Sequence, residues 1–315
     1  MRKPLSIAAA LLATLVLAAP VGAITNGTPD AGEHPFVGEL LFYVPDAADS
    51  RFDDPGGWFT CSGTLLDATH LVTAGHCTFG IGLNGVSTTD DGADTTAATG
   101  GTGGNDVWVS FAAAPNFNIL PPSSTFGRGQ NPARYQAWKN ALNGSSEWHR
   151  ATATPHPLYD DNAFFVHDAG VLTFARPIPT SVSGTTYGHL PRQGYLDGYK
   201  SQARNDHRFE TVGYGLERVQ GKKEFGGDTR MQSHPKLDSL TSHPAGAYIV
   251  LSNNTATGGT CFGDSGGPTF DTTSSNLVVA VTSWGQSPNC GGKSGVYRLD
   301  QPDDLAFLGG FGLTP

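Results

Sequence analysis

The stretch that constrains this chain most is Cys261-Phe262-Gly263-Asp264-Ser265-Gly266-Gly267-Pro268. Glycines on both sides of the Asp264-Ser265 pair permit a tight turn, because no Cβ blocks the backbone there. A serine hydroxyl displayed on such a turn attacks carbonyls poorly unless a base takes its proton. The oxyanion that results also needs backbone N–H groups aimed at it. The chain offers a histidine in Thr73-Ala74-Gly75-His76-Cys77 and an aspartate in His167-Asp168-Ala169-Gly170-Val171-Leu172. For the three to act together, the fold has to join three places far apart in sequence.

The rest of the sequence reads as an all-β protein. Short apolar or alternating runs (36–43, 63–66, 107–111, 170–174, 248–252 and 277–284) recur between clusters of Gly, Pro, Asn and Asp. The 42 glycines and sparse charge suit a turn-rich chain, and dispersed short strands suggest barrels. Residues 304–308 start a short terminal helix that Gly309 and Gly310 end. The segment 87–105 reads as a long surface loop. Its Asp90, Asp91 and Asp94 lack the ligand spacing of a calcium loop and are better read as solvated acids. Residues 121–146 form a second insertion.

The order His76, Asp168, Ser265 is one of the known chain orders of a Ser-His-Asp triad. Together with His156-Pro157-Leu158-Tyr159, these motifs give a chain that resembles the chymotrypsin/trypsin-type serine proteases from Ile24 to about Leu308. The resemblance implies two antiparallel six-stranded β-barrels with the active site between them. The first barrel would span about 24–185 and the second about 186–315, with the boundary near 177–192. It implies His76, Asp168 and Ser265 as catalytic residues and the N–H groups of Gly263 and Ser265 as the oxyanion hole. Ser283 would donate to Asp168, and Ser283-Trp284-Gly285 would pair with an extended substrate. Asp160 and Asp161 lie near Asp168 and could be mistaken for it, whereas His156 and His167 are expected to be surface or packing residues.

Four cysteines allow three pairings; the resemblance selects Cys61–Cys77 and Cys261–Cys290. It also implies that a freed Ile24 amine pairs with Asp264, although Thr25 and Asn26 depart from the usual start. Counting back from Ser265 puts Gly259, flanked by Thr260, at the floor of the specificity pocket, with Gly285 and Gly295 on its walls. An uncharged floor would leave a bound Lys or Arg unpaired, so cleavage after large apolar residues is expected. An acidic preference, helped by Lys293 and Thr260, is the weaker alternative. The substrate is a protein or peptide; no metal or cofactor is expected.

The N-terminus reads as an export signal: Arg2 and Lys3, an apolar run within 4–17, then Val21-Gly22-Ala23, with cleavage leaving Ile24 first. Its loss removes two cations and moves the formal charge from -9 to about -11. An acidic, secreted monomer is expected, with neither nucleic acid nor a membrane as partner of the mature form. Asn26, Asn143 and Asn253 stand in glycosylation motifs. The non-enzyme readings are a catalytically silent binding or adhesion protein of the same fold and a carbohydrate-binding module.

Overall fold

The structure is a computed structural model that describes residues 24–48, 54–89, 103–163, 165–200, 207–240 and 248–315. The export signal (1–23) and Asp90, Asp91 and Asp94 lie outside the described residues. After a two-residue strand β1 (Thr28–Pro29), the first half forms a closed barrel. Its strands are β2 (Val37–Val44), β3 (Gly57–Leu65), β4 (His70–Thr73), β5 (Val107–Ser110), β6 (His149–Pro155) and β7 (Gly170–Phe174), in the order β2-β3-β4-β7-β6-β5. Phe36, Leu40, Leu65, Val107, Val109 and Leu172 fill its interior and are fully or almost fully buried.

The insertion at 121–146 carries a helix that the strand-rich reading did not anticipate, α1 (Asn131–Gly144), with Pro132 in its first turn. Trp138, Ala141 and Leu142 pack with Trp108, Trp148 and Leu41 on the outside of the barrel. Their three- and four-residue spacing is the helical signal. A short helix, α2 (Thr180–Ser183), leads to the second half.

There the strands are β8 (Phe209–Gly213), the hairpin β9 (Leu216–Gln220) and β10 (Lys223–Gly226), β11 (Met231–Ser233), β12 (Leu237–Ser239), β13 (Tyr248–Asn253), β14 (Pro268–Asp271), β15 (Val278–Gly285) and β16 (Gly292–Arg298). The hairpin stands apart. The others, with β1, make an eight-stranded sheet in the order β1-β11-β8-β14-β15-β16-β13-β12, a half-barrel rather than a second closed six-stranded one. It bends so far that β12 returns to the start of β8 through the bridge Arg208↔Lys236. The first described residues therefore belong to the second sheet: β1 pairs with β11, and Thr25 bridges Gly259. A short helix, α3 (Pro302–Gly309), closes the chain as expected.

Arg230, 4% exposed, bolts the two halves together. Its Nε donates to Asp30 Oδ2 at 2.8 Å, while Nη1 reaches the Phe111 carbonyl and the Tyr214 hydroxyl at 3.0 Å each. A buried guanidinium is tolerated because its charge is paired and its donors are used.

Candidate active site

Strands β4 and β7 are antiparallel neighbours, with Thr73 opposite Gly170. Residues just after β4 and just before β7 therefore emerge at one edge of the barrel. His76 lies there on a 3-10 turn (Gly75–Cys77), tied to β3 by the Cys61–Cys77 disulfide. Asp168 lies opposite and is fully buried. His76 Nδ1 stands 3.0 Å from Asp168 Oδ2 and 3.1 Å from Oδ1, and the His76 backbone N–H donates to Oδ1 at 2.9 Å. A side chain held at both its backbone and its ring has one orientation and one tautomer, with the proton on Nδ1.

Burial works to lower the His76 pKa. The charge and hydrogen bond of Asp168, with help from Asp161, outweigh it, and the net shift is upward from the usual histidine value. Asp161 reaches His76 only through its charge and lines the cleft wall; of the nearby acids it is Asp168 that bonds the ring. His156 is buried and stacked on His167 at 5.0 Å, so both serve packing.

The third hydrogen bond to Asp168 comes from the second sheet: Ser283 Oγ donates to Oδ2 at 2.6 Å. Between Thr282 and Trp284 the β15–β16 register slips. The slip places Ser283 in a bulge, a device that re-aims a side chain.

The turn 261–267 carries Ser265 between the two halves, and Ser62 of β3 anchors it. The Ser62 N–H donates to the Ser265 carbonyl at 2.7 Å, and its hydroxyl donates to the Gly263 carbonyl at 3.0 Å. Gly263 has φ 95° and Gly266 φ 76°, both in the region that disfavours side chains. A Cβ on Gly266 would come within 1.9 Å of Thr73 Oγ1. The N–H groups of Asp264, Gly266 and Gly267 are used internally, by the carbonyls of Cys261, Thr282 and Asp264. Among the described residues those of Gly263 and Ser265 have no internal acceptor. Two unused donors, one on the serine itself and one two residues before it, can receive an oxyanion.

Asp264, next to the serine, is fully buried. Burial pushes its carboxyl up to about 7, although the N–H groups of Cys261 and Gly215, each at 2.8 Å, work to lower it. Ile24 is buried beside it, and its N–H donates to the Gly215 carbonyl at 3.3 Å. Ile24 and Asp264 thus bond the carbonyl and the N–H of the same residue, Gly215.

Two cavities meet at Ser265. The smaller, about 410 Å³, is lined by Thr260, Ser283, Trp284, Gly285 and Gln286 among others, and carries no acid or base. The Cys261–Cys290 disulfide closes one side of it. Two of the expected pocket residues, Gly259 and Gly295, do not line it. The space where a Gly259 Cβ would stand is filled by Asn253, whose Nδ2 donates to the Thr260 carbonyl at 2.7 Å. Gly295 is paired with Trp284, with the indole 2.0 Å from its Cβ position, and Ser294 stands opposite Gly285 instead. The bulge at Ser283 shifts the pairing by one residue, which exchanges the faces of the strand. Asn253 is 1% exposed, so its glycosylation motif is sealed within the fold.

A family model described as Trypsin matches residues 132–299 and so includes Asp168 and Ser265 but begins after His76. No curated protein matches the chain. Among solved structures, the HL collagenase structure is similar with TM-score 0.57 at 15% identity, over 93% of this chain and 100% of that one. Human heparin binding protein follows at TM-score 0.55 and 16% identity, over 93% and 98%. A scabies mite inactivated protease paralogue gives TM-score 0.54 at 14% identity, over 93% and 99%. At such identities these likenesses speak for the fold, and the family match covers more than half of the sequence: the chain belongs to the trypsin family.

Proposed function

We propose that the protein is a secreted serine endopeptidase working through His76, Asp168 and Ser265. The observation that carries the reading is the fully buried Asp168 carboxylate, bonded at once by the His76 backbone, the His76 ring and Ser283. With Nδ1 committed to Asp168, the other ring nitrogen of His76 is the one left to take the proton of Ser265 as its oxygen attacks a peptide carbonyl. Asp168 stabilises the imidazolium that forms. The N–H groups of Gly263 and Ser265 receive the oxyanion, and His76 returns the proton to the departing amine. Water then repeats the sequence on the acyl-enzyme, restoring Ser265.

The uncharged cavity of about 410 Å³ supports a preference for large apolar residues before the scissile bond. The acidic alternative is weakened because Lys293 donates to Asp238 at 2.7 Å and is not among the cavity's lining residues. A freed amine at Ile24 would give the buried Asp264 a cationic partner and hold the turn in shape, completing the site without a propeptide. The two disulfides support export. Among the described residues no helix is long and apolar enough to cross a membrane.

Digestion of a diverse peptide mixture, with cut sites mapped by mass spectrometry and Ser265→Ala as control, tests the reading. Cuts after large apolar residues, absent in the control, are expected. The second reading, a catalytically silent binder, draws on the similarity to an inactivated protease paralogue. Absence of cuts by folded protein starting at Ile24 would favour it.

A further inference from the structure

The larger cavity, about 850 Å³, lies on the other side of Ser265. Among the described residues only Ser265 and Phe262 line both cavities. A peptide with one side chain in the smaller cavity and its carbonyl at Ser265 must therefore send the residues after the scissile bond along the larger one.

Among the described residues its walls carry four carboxylates, Asp46, Asp161, Glu224 and Asp228, and neither lysine nor arginine. Behind Asp228 stands Glu39, 1% exposed and hydrogen-bonded to it, while its Oε2 has no hydrogen-bond partner among the described residues. Burial, then the neighbouring Asp228, push the Glu39 carboxyl well above the usual carboxylate range. Phe59 and Phe262, 45% and 57% exposed, also line it and offer aromatic surface. Lysine and arginine suit this combination: the stem or guanidinium lies on an aromatic face and the charged head reaches carboxylates. Basic residues of the nearby β9–β10 hairpin do not line the cleft, Arg218 being stacked over Phe225 at 4.3 Å.

We propose that this cleft selects substrates carrying lysine or arginine in the residues that follow the scissile bond, an inference that rests on the endopeptidase reading. The charge preference then lies on the leaving side of the substrate, while the residue before the cut is apolar.

The test uses two internally quenched peptides with the same half before the cut and either Lys-Arg or Glu-Glu after it. At low ionic strength the basic peptide should show kcat/KM higher by about tenfold or more, and the ratio should shrink in high salt. It should shrink likewise in the Asp46→Asn/Glu224→Gln double variant, whose changes are at exposed positions. Equal rates, or faster cleavage of the acidic peptide, would overturn the proposal. A chromogenic ester that ends at the scissile bond reports the reaction centre separately. If neither ester nor peptides are hydrolysed, the endopeptidase reading fails. Fluorescence anisotropy of both peptides on Ser265→Ala protein then decides the cleft's preference, with tighter binding of the basic peptide supporting it and equal binding overturning it.

Discussion

Extending the protein by one residue, so that Ala23 precedes Ile24, should make its stability fall with pH in a way the Ile24 form does not. In the extended chain Asp264 is buried with only two backbone N–H groups as partners, and its carboxyl is pushed up to about 7 from 3.8. A carboxyl whose folded pKa is raised costs nothing while both states are protonated. The cost enters above the unfolded value and grows until pH passes the folded one. A difference of about three pK units converts to about 4 kcal/mol at full ionisation. Extended protein should therefore lose about 4 kcal/mol between pH 4 and pH 7.5. In the Ile24 form the amine, charged below about pH 8, offsets most of that loss. Urea midpoints of both forms at the two pH values measure it. Asp264→Asn in the extended chain should flatten the dependence. Parallel pH profiles for the extended and Ile24 forms would refute the reasoning.

Four further outcomes follow from the same geometry. Ser283→Ala removes one of the two donors to Oδ2 of the buried Asp168 carboxylate, a loss of about 1.5–3 kcal/mol, and kcat/KM should fall by about one to two orders of magnitude. Because Asp168 and Asp161 raise the His76 pKa, activity should be lost as pH falls through a midpoint above the usual histidine value. Asp161→Asn should move that midpoint down in a pH–rate profile. Gly295→Ala puts a methyl against the Trp284 indole, so it should cost about 1–3 kcal/mol in thermal unfolding while leaving the choice of residue before the cut unchanged. Replacing Cys61 and Cys77 by serine opens a crosslink between residues 16 apart and should cost about 3 kcal/mol, read in a denaturant titration.

The strands around the site were legible because their signals are local: the run at 170–174 is β7 itself, and those at 36–43 and 248–252 fall within a residue of β2 and β13. His76, Asp168 and Ser265 were legible because each sits in a short motif and the motifs come in a known order. Both cysteine pairs follow the resemblance, where counting alone left three choices. Pocket orientation was not legible. Counting along the chain assumes an unbroken alternation, and the bulge at Ser283 exchanges faces, which turned Gly295 under Trp284. Asn253 filling the space beside Gly259 is a contact across a loop, with no trace in local sequence. Helix α1 left a trace in the spacing of Tyr135, Trp138 and Leu142, and the Asn131-Pro132 start marks its first turn. The eight-stranded second sheet draws β1 from the far end of the chain, a pairing no local pattern records.

The central claim is that Ser265 is an activated nucleophile. Treatment with a fluorophosphonate, followed by peptide mapping, tests it most directly. The account predicts stoichiometric phosphonylation at Ser265, abolished by Ser265→Ala and slowed by several orders of magnitude in His76→Ala. Folded protein beginning at Ile24 that refuses the label, or takes it equally well without His76, would contradict it.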